Sequence, residues 1–359
     1  MKILYITNGI CGVGGLERVL AVKTALLIEK YGYDIHILSL NEWEKTPFYP
    51  FSPLVSRHHL PFHGYSPWHL CAFLRDINRL IQSLSPDIVD VCDDGMKGFL
   101  IPYLPATHQI PIIYERHVAQ EITQRHWWSH FTRAFQRHCA GKYDKFILLC
   151  NGHKKDWPLS NTEVIPNVTS FRPASPSRLE NKRLIAVGKI SYQKAYEYLL
   201  DVWTKLEPHF PDWEVCLYGE ENDGGALREE IHKRGLKRFA LMGRCSDMMH
   251  EYLRSSIHVM TSRFEGLPMV MIEAQSCGLP SVSFDCPYGP SEIIQDGING
   301  YLLPMGDVDG MATKLSQLMT DHSLLQRQGQ AARETSLAYS DSTIVNRWHQ
   351  LFSSLVKHV

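Results

Sequence analysis

Two carboxylates, Glu265 and Glu273, stand eight positions apart in the segment Phe264-Glu265-Gly266-Leu267-Pro268-Met269-Val270-Met271-Ile272-Glu273. A strand is expected to end near Thr261 and a helix to start close to Pro268, which puts Glu265 in the loop and Glu273 in or near the first helical turns. Carboxylates so placed can accept hydrogen bonds from sugar hydroxyls without either becoming a nucleophile. A capping or buried-pair role for Glu273 explains the same residue in structural terms. A second segment, Val187-Gly188-Lys189-Ile190-Ser191-Tyr192-Gln193-Lys194, lies at the mouth of a strand. Parallel sheets bind ligands at that end, and two cations beside a glycine can neutralise a diphosphate. Solvated surface lysines account for it equally well.

A third candidate is the glycine cluster around Gly14-Gly15, between a buried strand and a helix. Backbone amides converge there and can approach an anion closely. Neither GxGxxG nor GxxxxGK[ST] is present, so a tight turn remains the other reading. Glu17 and Arg18 then open the helix as an exposed capping pair. His117 follows an apolar strand and can donate a hydrogen bond near neutral pH, although the chain holds 18 histidines. The stretch from Asp285 to Ile294 has the turn residues of a ligand loop. Asp307-Val308-Asp309 reads as an incidental turn rather than a metal motif.

The elements that must position these residues alternate. Ile3–Ile6 is an apolar run without alternation, as in a strand buried on both faces. A helix over Leu16–Lys30 and a strand over Asp34–Leu40 complete a βαβ unit. Strands are expected at Ile88–Cys92, Ile110–Tyr114 and Phe146–Cys150, with helices near His69–Leu84 and Gln124–Cys139. Trp43–Pro67 reads as an irregular excursion. A boundary rich in Pro, Ser and Asn falls at Ile165–Asn181, after which the pattern restarts. Strands are expected at Leu184–Val187, Glu214–Tyr218, Phe239–Met242, Ile257–Thr261, Ser281–Phe284 and Gly300–Leu303. Helices fall near Tyr196–Leu206 and Gly225–Gly235, and a packed terminal helix covers Ser340–His358. The fold class is therefore α/β, with two doubly wound domains facing a ligand crevice. The divisions expected are 1–168, 169–340 and a terminal helix over 341–359 that packs back on the first domain.

Composition limits the function classes. With 37 Lys and Arg against 38 Asp and Glu, the chain offers no net basic surface for nucleic acid. Nine widely spaced cysteines without a CxxC argue against a disulfide framework or a structural zinc site and suit a reducing, cytoplasmic setting. No run of 18 apolar residues and no signal peptide is seen. Arg116–Lys155 is strongly basic, and Trp127, Phe131 and Phe135 recur within it at helical spacing beside Trp128. Such a stripe suits contact with an anionic membrane surface, or a core helix with solvated flanks.

Taken together these residues resemble the retaining glycosyltransferases of family 4, with the two-Rossmann GT-B architecture. The most specific likeness is Phe264-Glu265-Gly266-Leu267-Pro268 through Glu273, which is similar to the family's Glu-x7-Glu motif. Gly14-Gly15-Leu16-Glu17-Arg18 resembles its glycine loop, Val187-Gly188-Lys189 through Gln193-Lys194 its phosphate-binding strand end, and Asn167 its interdomain asparagine. The resemblance implies a nucleotide-diphosphate sugar as donor, UDP-linked, with Lys189 and Lys194 on the diphosphate. It implies Glu265 on the donor sugar, with Gly266 and Leu267 beside it, and Glu273 on the ribose. Gly14 and Gly15 would lie near the phosphates, Gly188 at the strand mouth, Pro287–Ser291 near the donor sugar, and His117 would touch that sugar. No metal or other cofactor is implied.

The acceptor implied is a hydroxyl of a glycan, lipid-linked, as in polysaccharide, lipopolysaccharide or capsule assembly at the inner face of the cell membrane. The transferred group would be a hexose or N-acetylhexosamine, moved with retention. Two residues depart from the family pattern. Lys189 stands where arginine is usual and keeps the charge without the bidentate fork. Ala195 stands where glycine is usual and is expected to be accepted at negative φ. Rival readings are a nucleotide-sugar 2-epimerase or phosphorylase of similar shape, or a non-catalytic sugar-nucleotide-binding protein.

Overall fold

The structure, a computed structural model, describes residues 1–12, 14–42, 45–93, 95–117, 129–169 and 171–356, the side chains of 129–131 excepted. The chain forms two compact units, Met1–Val168 with Asp341–Val359, and Thr169–Ser340.

The first unit contains β1 (Lys2–Thr7), α1 (Gly15–Tyr31), β2 (Asp34–Leu40), β3 (Ser56–Leu60), α2 (Pro67–Leu84) and β4 (Ile88–Cys92). It continues with β5 (Ile112–Arg116), α3 (Ser129–Ala140), β6 (Lys145–Leu148) and β7 (Thr162–Val164). The strands form one sheet in the order β3-β2-β1-β4-β5-β6-β7, parallel throughout. Strand order reverses between β1 and β4, which makes the carboxyl ends of these two strands the topological switch point. The apolar run of β1 serves both faces of the sheet. Ile3 and Tyr5 enter one core with Val19, Leu20 and Leu27, and Leu4 and Ile6 enter another with Phe73, Ile77 and Ile81. That is why its hydrophobic residues do not alternate with polar ones. α1 stops where Gly32 takes φ +64° and its amide bonds the carbonyl of Ile28 at 2.9 Å.

The second unit contains β8 (Arg183–Val187), α4 (Tyr196–Leu206), β9 (Glu214–Tyr218), α5 (Ala226–Lys233), β10 (Phe239–Gly243), α6 (Met248–Leu253) and β11 (Ile257–Met260). It ends with α7 (Met269–Ser276), β12 (Ser281–Phe284), α8 (Pro290–Ile293), β13 (Gly300–Leu303), α9 (Val308–Thr320) and α10 (His322–Ser336). Its parallel sheet runs β10-β9-β8-β11-β12-β13, with the reversal between β8 and β11. One core gathers Leu184, Ile185 and Ala186 of β8 with Leu199, Leu200 and Trp203 of α4.

The last helix, α11 (Asp341–Val356), returns to the first unit. Ile344, Val345, Trp348, Leu351 and Phe352 join the core under α1, and the His349 ring stacks on Tyr31 at 3.8 Å between centroids.

Several elements differ from the expectations. β3 lies inside the stretch read as irregular, because Ser-Arg-His-His-Leu is a polar edge strand without an apolar run. It is held to β2 by parallel pairing and by a 2.9 Å contact between His36 Nδ1 and His58 Nε2. β5 starts two residues later than expected, after Pro111, which has no amide to give to a ladder. Among the described residues no helix is long and apolar enough to cross a membrane.

Candidate active site

In the second unit the carboxyl ends of β8, β11 and β12 gather most of the singled-out residues. β8 ends at Gly188, whose amide bonds the carbonyl of Tyr218 at 2.9 Å. A Cβ at Gly188 would stand 2.7 Å from Lys194 Cε and 2.9 Å from the Tyr196 hydroxyl, so only glycine lets the lysine stem lie across the strand end. Gly219, at the end of β9, is needed for a similar reason. A Cβ there would come within 1.9 Å of the Gly188 carbonyl oxygen.

Lys194 Nζ then reaches Glu265 Oε1 at 2.7 Å, with the two side chains 16% and 8% exposed. The loop carrying Glu265 is fixed from three sides. Gln193 Nε2 donates to the Phe264 carbonyl at 3.0 Å, the Arg263 amide donates to the Gln193 carbonyl at 2.8 Å, and the Glu265 amide donates to Pro287 at 3.2 Å. Pro287 belongs to the loop after β12, whose Gly289 packs where a Cβ would be 2.3 Å from Pro268 Cδ. Leu267 is buried. Glu273 sits one turn into α7 and is 3% exposed. Lys189 is exposed and acts on Glu220, whose carboxyl is held low by Arg244 first and Lys189 next. It is not drawn into the Lys194–Glu265 contact.

Buried titratable groups flank the ion pair. Burial pushes the His258 imidazole on β11 down to about 3, helped by the Lys194 charge, so it is neutral. Burial and then Glu265 push the Cys286 thiol up to about 12. The Tyr196 phenol is held well above its usual range by burial and then Glu265. A cation and a carboxylate meeting in such a setting attract strongly, and either can be exchanged for a ligand group of the same sign.

Ala195 overturns the expectation of negative φ. It takes φ +52° and ψ +46° as the N-cap of α4, a left-handed conformation that costs an L-residue about 1 kcal/mol. Asp307 of the Asp-x-Asp turn caps α9, accepting from the Gly310 amide at 2.9 Å, and Asp309 pairs with Lys205 at 2.9 Å.

In the first unit Gly14 is the N-cap of α1 and Gly15 opens it. Nothing lies within 4 Å of a Cβ placed on Gly15, whereas one on Gly14 would meet Glu17 Oε2 at 2.5 Å. Glu17 thus folds back over the glycine turn. Glu42, which belongs to no sequence motif, accepts from the amides of Ile10 at 2.8 Å and Cys11 at 3.1 Å. Gly9 allows this approach, since a Cβ there would be 2.8 Å from Glu42 Oε1.

His117, just past β5, has Nε2 3.3 Å from Glu115 Oε2. The other Glu115 oxygen accepts from Lys23 and, at 3.1 Å, from the Cys92 thiol. Cys92, Glu115 and His117 present ligand-type atoms within 4.8 Å of one another. Burial first, and Glu115 next, push the Cys92 thiol well up, and the Lys23 ammonium pairs with Glu115.

Of the basic aromatic stripe, Trp127 and Trp128 lie outside the described residues, as does the Phe131 side chain. Phe135 on α3 is 41% exposed. Two of the nearby cations are engaged locally. Arg137 Nη2 donates to the Asp156 carbonyl at 2.8 Å, and Lys145 Nζ is 3.1 Å from Glu163 Oε2.

Two open parallel sheets in two units are the architecture of the GT-B class of glycosyltransferase. Residues 167–335 match the family described as glycosyl transferases group 1. The amylovoran biosynthesis glycosyltransferase AmsD of Erwinia amylovora is 30% identical over 98% of this chain and 99% of its own. The lipopolysaccharide outer core galactosyltransferase WaaB superimposes with a TM-score of 0.77 at 18% identity, over 99% of this chain and 100% of that one. HepE of Anabaena, in complex with UDP, does so with a TM-score of 0.80 at 17% identity, over 99% and 100% of the two chains. These two structures speak for the fold alone. The chain belongs to the group 1 glycosyltransferases, related to the family 4 enzymes of polysaccharide biosynthesis, and is a nucleotide-sugar-dependent enzyme of GT-B type.

Proposed function

We propose that this enzyme moves a hexose or an N-acetylhexosamine from a UDP-sugar to a hydroxyl of a lipid-linked glycan, with retention at the anomeric carbon. The observation that carries the reading is the Lys194–Glu265 contact at 2.7 Å, backed by Gly188 at the mouth of β8. An incoming diphosphate takes over the Lys194 ammonium and frees Glu265 to accept from the hydroxyls of the donor sugar. Lys189, exposed nearby in sequence, adds charge to the diphosphate, and Glu273 accepts from the ribose. Gly266 and Leu267 hold the loop against the sugar, the Gly14–Gly15 amides lie near the phosphates, and His117 hydrogen-bonds the donor sugar.

As the bond from the anomeric carbon to the diphosphate breaks, negative charge grows on the leaving oxygen and the lysines stabilise it. That oxygen takes the proton of the incoming hydroxyl on the same face, so no protein nucleophile is required. Cationic side chains do the neutralising that a metal does in other transferases.

The role of a relative supports the choice of a glycan acceptor. AmsD serves amylovoran biosynthesis. A lipid-linked acceptor places the enzyme on the inner face of the cell membrane, and exposed Phe135 and Lys142 are available for anionic headgroups. The test is to incubate the enzyme with UDP-glucose, UDP-galactose or UDP-N-acetylglucosamine and a lipid-linked oligosaccharide pool. Mass spectrometry should find one added sugar, and NMR should find the donor's own anomeric configuration. An inverted linkage, or free sugar phosphate in place of a glycoside, would overturn the proposal.

A further inference from the structure

The first unit buries a charge relay that leads to His117 and that the proposed transfer does not otherwise use. Lys23 of α1 is 2% exposed, and its ammonium lies 4.8 Å from the Tyr5 ring centroid and 4.1 Å from that of Trp348 on α11. Two carboxyls compete for it. Glu115 is in direct hydrogen-bonding contact, whereas Asp90 stands 3.9 Å away. Burial first and Glu115 next push the Asp90 carboxyl well above the usual range, so it stays protonated. The Lys23 charge, with the His117 contact, holds the Glu115 carboxyl below its usual range against the effect of burial. Burial also keeps the Tyr5 phenol and Cys92 thiol protonated. The cluster thus contains one ammonium and one carboxylate, and the free side of that carboxylate faces His117 Nε2.

We propose that Glu115 is a positioning residue for His117, fixing its ring with the proton on Nε2, while Lys23, clamped by Tyr5 and Trp348, holds the Glu115 carboxylate in place. A carboxylate on one ring nitrogen sets both the tautomer and the orientation of the imidazole. A ring fixed in this way meets the donor sugar in a single orientation. The C-terminal helix is thereby tied to the site through Trp348, which gives its return to the first unit a part in the reaction. This inference rests on the reading that His117 meets the donor sugar.

The test separates the two claims. Removing Glu115 alone would strand a buried ammonium, so the pair is neutralised together as Lys23→Met plus Glu115→Gln. His117→Ala, the neutralised pair and the triple variant are compared after circular dichroism and melting confirm the fold. UDP release is followed with the fastest substrate among UDP-glucose, UDP-galactose and UDP-N-acetylglucosamine. Neutralising the pair should lower kcat by about tenfold with little change in KM, and should add almost nothing to His117→Ala. Losses that multiply would make the pair merely structural and overturn the proposal. His117→Ala without any loss would instead remove the reading of His117 as a sugar contact. Nitrogen-15 spectra at about pH 8, where a free imidazole is neutral, judge the geometry directly. They should find His117 protonated at Nε2 in the wild type and mixed between the two nitrogens in the neutralised pair. The same tautomer in both proteins would overturn the proposal.

Discussion

The ammonium of Lys194 lies 2.7 Å from the carboxylate of Glu265, so the two charges proposed to grip opposite ends of the donor are paired with each other. On the proposed reading donor binding parts them, which would tie affinity for the diphosphate to the placement of the sugar-facing carboxylate. Lys194→Ala should therefore lower kcat/KM by more than about tenfold, since positive charge is lost where negative charge develops. It should also lower the melting temperature, because a largely buried Glu265 loses its partner at a cost of about 3 kcal/mol. Lys189→Arg, at an exposed position, should be tolerated. An unchanged rate in Lys194→Ala would remove the proposed phosphate role.

The two carboxylates should fail in different ways. Glu273→Gln should weaken the binding of free UDP, since an amide replaces a charge-assisted acceptor at the ribose. Glu265→Gln should leave UDP affinity nearly intact and slow transfer of the sugar. Titration calorimetry with UDP alongside steady-state rates checks this division. Equal losses of UDP affinity in both variants would contradict it.

Ala195 is held at φ +52°, so replacing it should relieve strain. Ala195→Gly should stabilise the protein by about 1 kcal/mol, or roughly 2–4 °C for a unit of this size. Calorimetry that finds Ala195→Gly melting below the wild type would show that the buried methyl group contributes more than the strain.

His258 links stability to pH. Its imidazole is pushed from 6.5 down to about 3, by burial first and Lys194 next. Between those values the unfolded chain binds a proton that the folded chain does not. Stability from this group is complete above about pH 6.5 and falls as pH drops toward 3, by about 1.4 kcal/mol per pH unit. Melting curves from pH 7 to about pH 4 should show the wild type losing more than His258→Gln, which has no such proton to bind. Parallel losses in the two proteins would show that His258 is solvated.

Much of the fold was legible because buried strands write themselves as apolar runs. Asp34–Leu40, Ile88–Cys92, Glu214–Tyr218 and Ser281–Phe284 have the same bounds in sequence and structure. β3 was missed because an edge strand of Ser, Arg and His carries no hydrophobic signal. α9 and α10 are not among the expected helices, although Asp307 and Asp321 cap them through the amides of Gly310 and Leu324. At the site, motif spacing picked out Gly188, Lys194 and Glu265, which the fold brings together. It did not reveal Gly219, whose need for glycine arises from a strand two elements away. Nor did it reveal Glu42 or the Lys23–Glu115 pair, since long-range partners leave no local pattern. The left-handed Ala195 was misjudged because φ is set by the turn into α4 and not by the residue's own preference.

The central claim, that a UDP-sugar is held at the mouth of β8 by Lys194 and the carboxylates, is tested most directly by ligand-induced thermal stabilisation. UDP-glucose, UDP-galactose, UDP-N-acetylglucosamine, GDP-mannose and ADP-glucose are compared on the wild type, Lys194→Ala and Glu273→Gln. A ligand at a hundred times its dissociation constant adds about 2.7 kcal/mol to the folded state. At least one UDP-sugar should raise the wild-type melting temperature by several degrees, with the rise reduced or lost in both variants. An undiminished rise in both variants, or no response of the wild type to any of the UDP-sugars, would contradict the account.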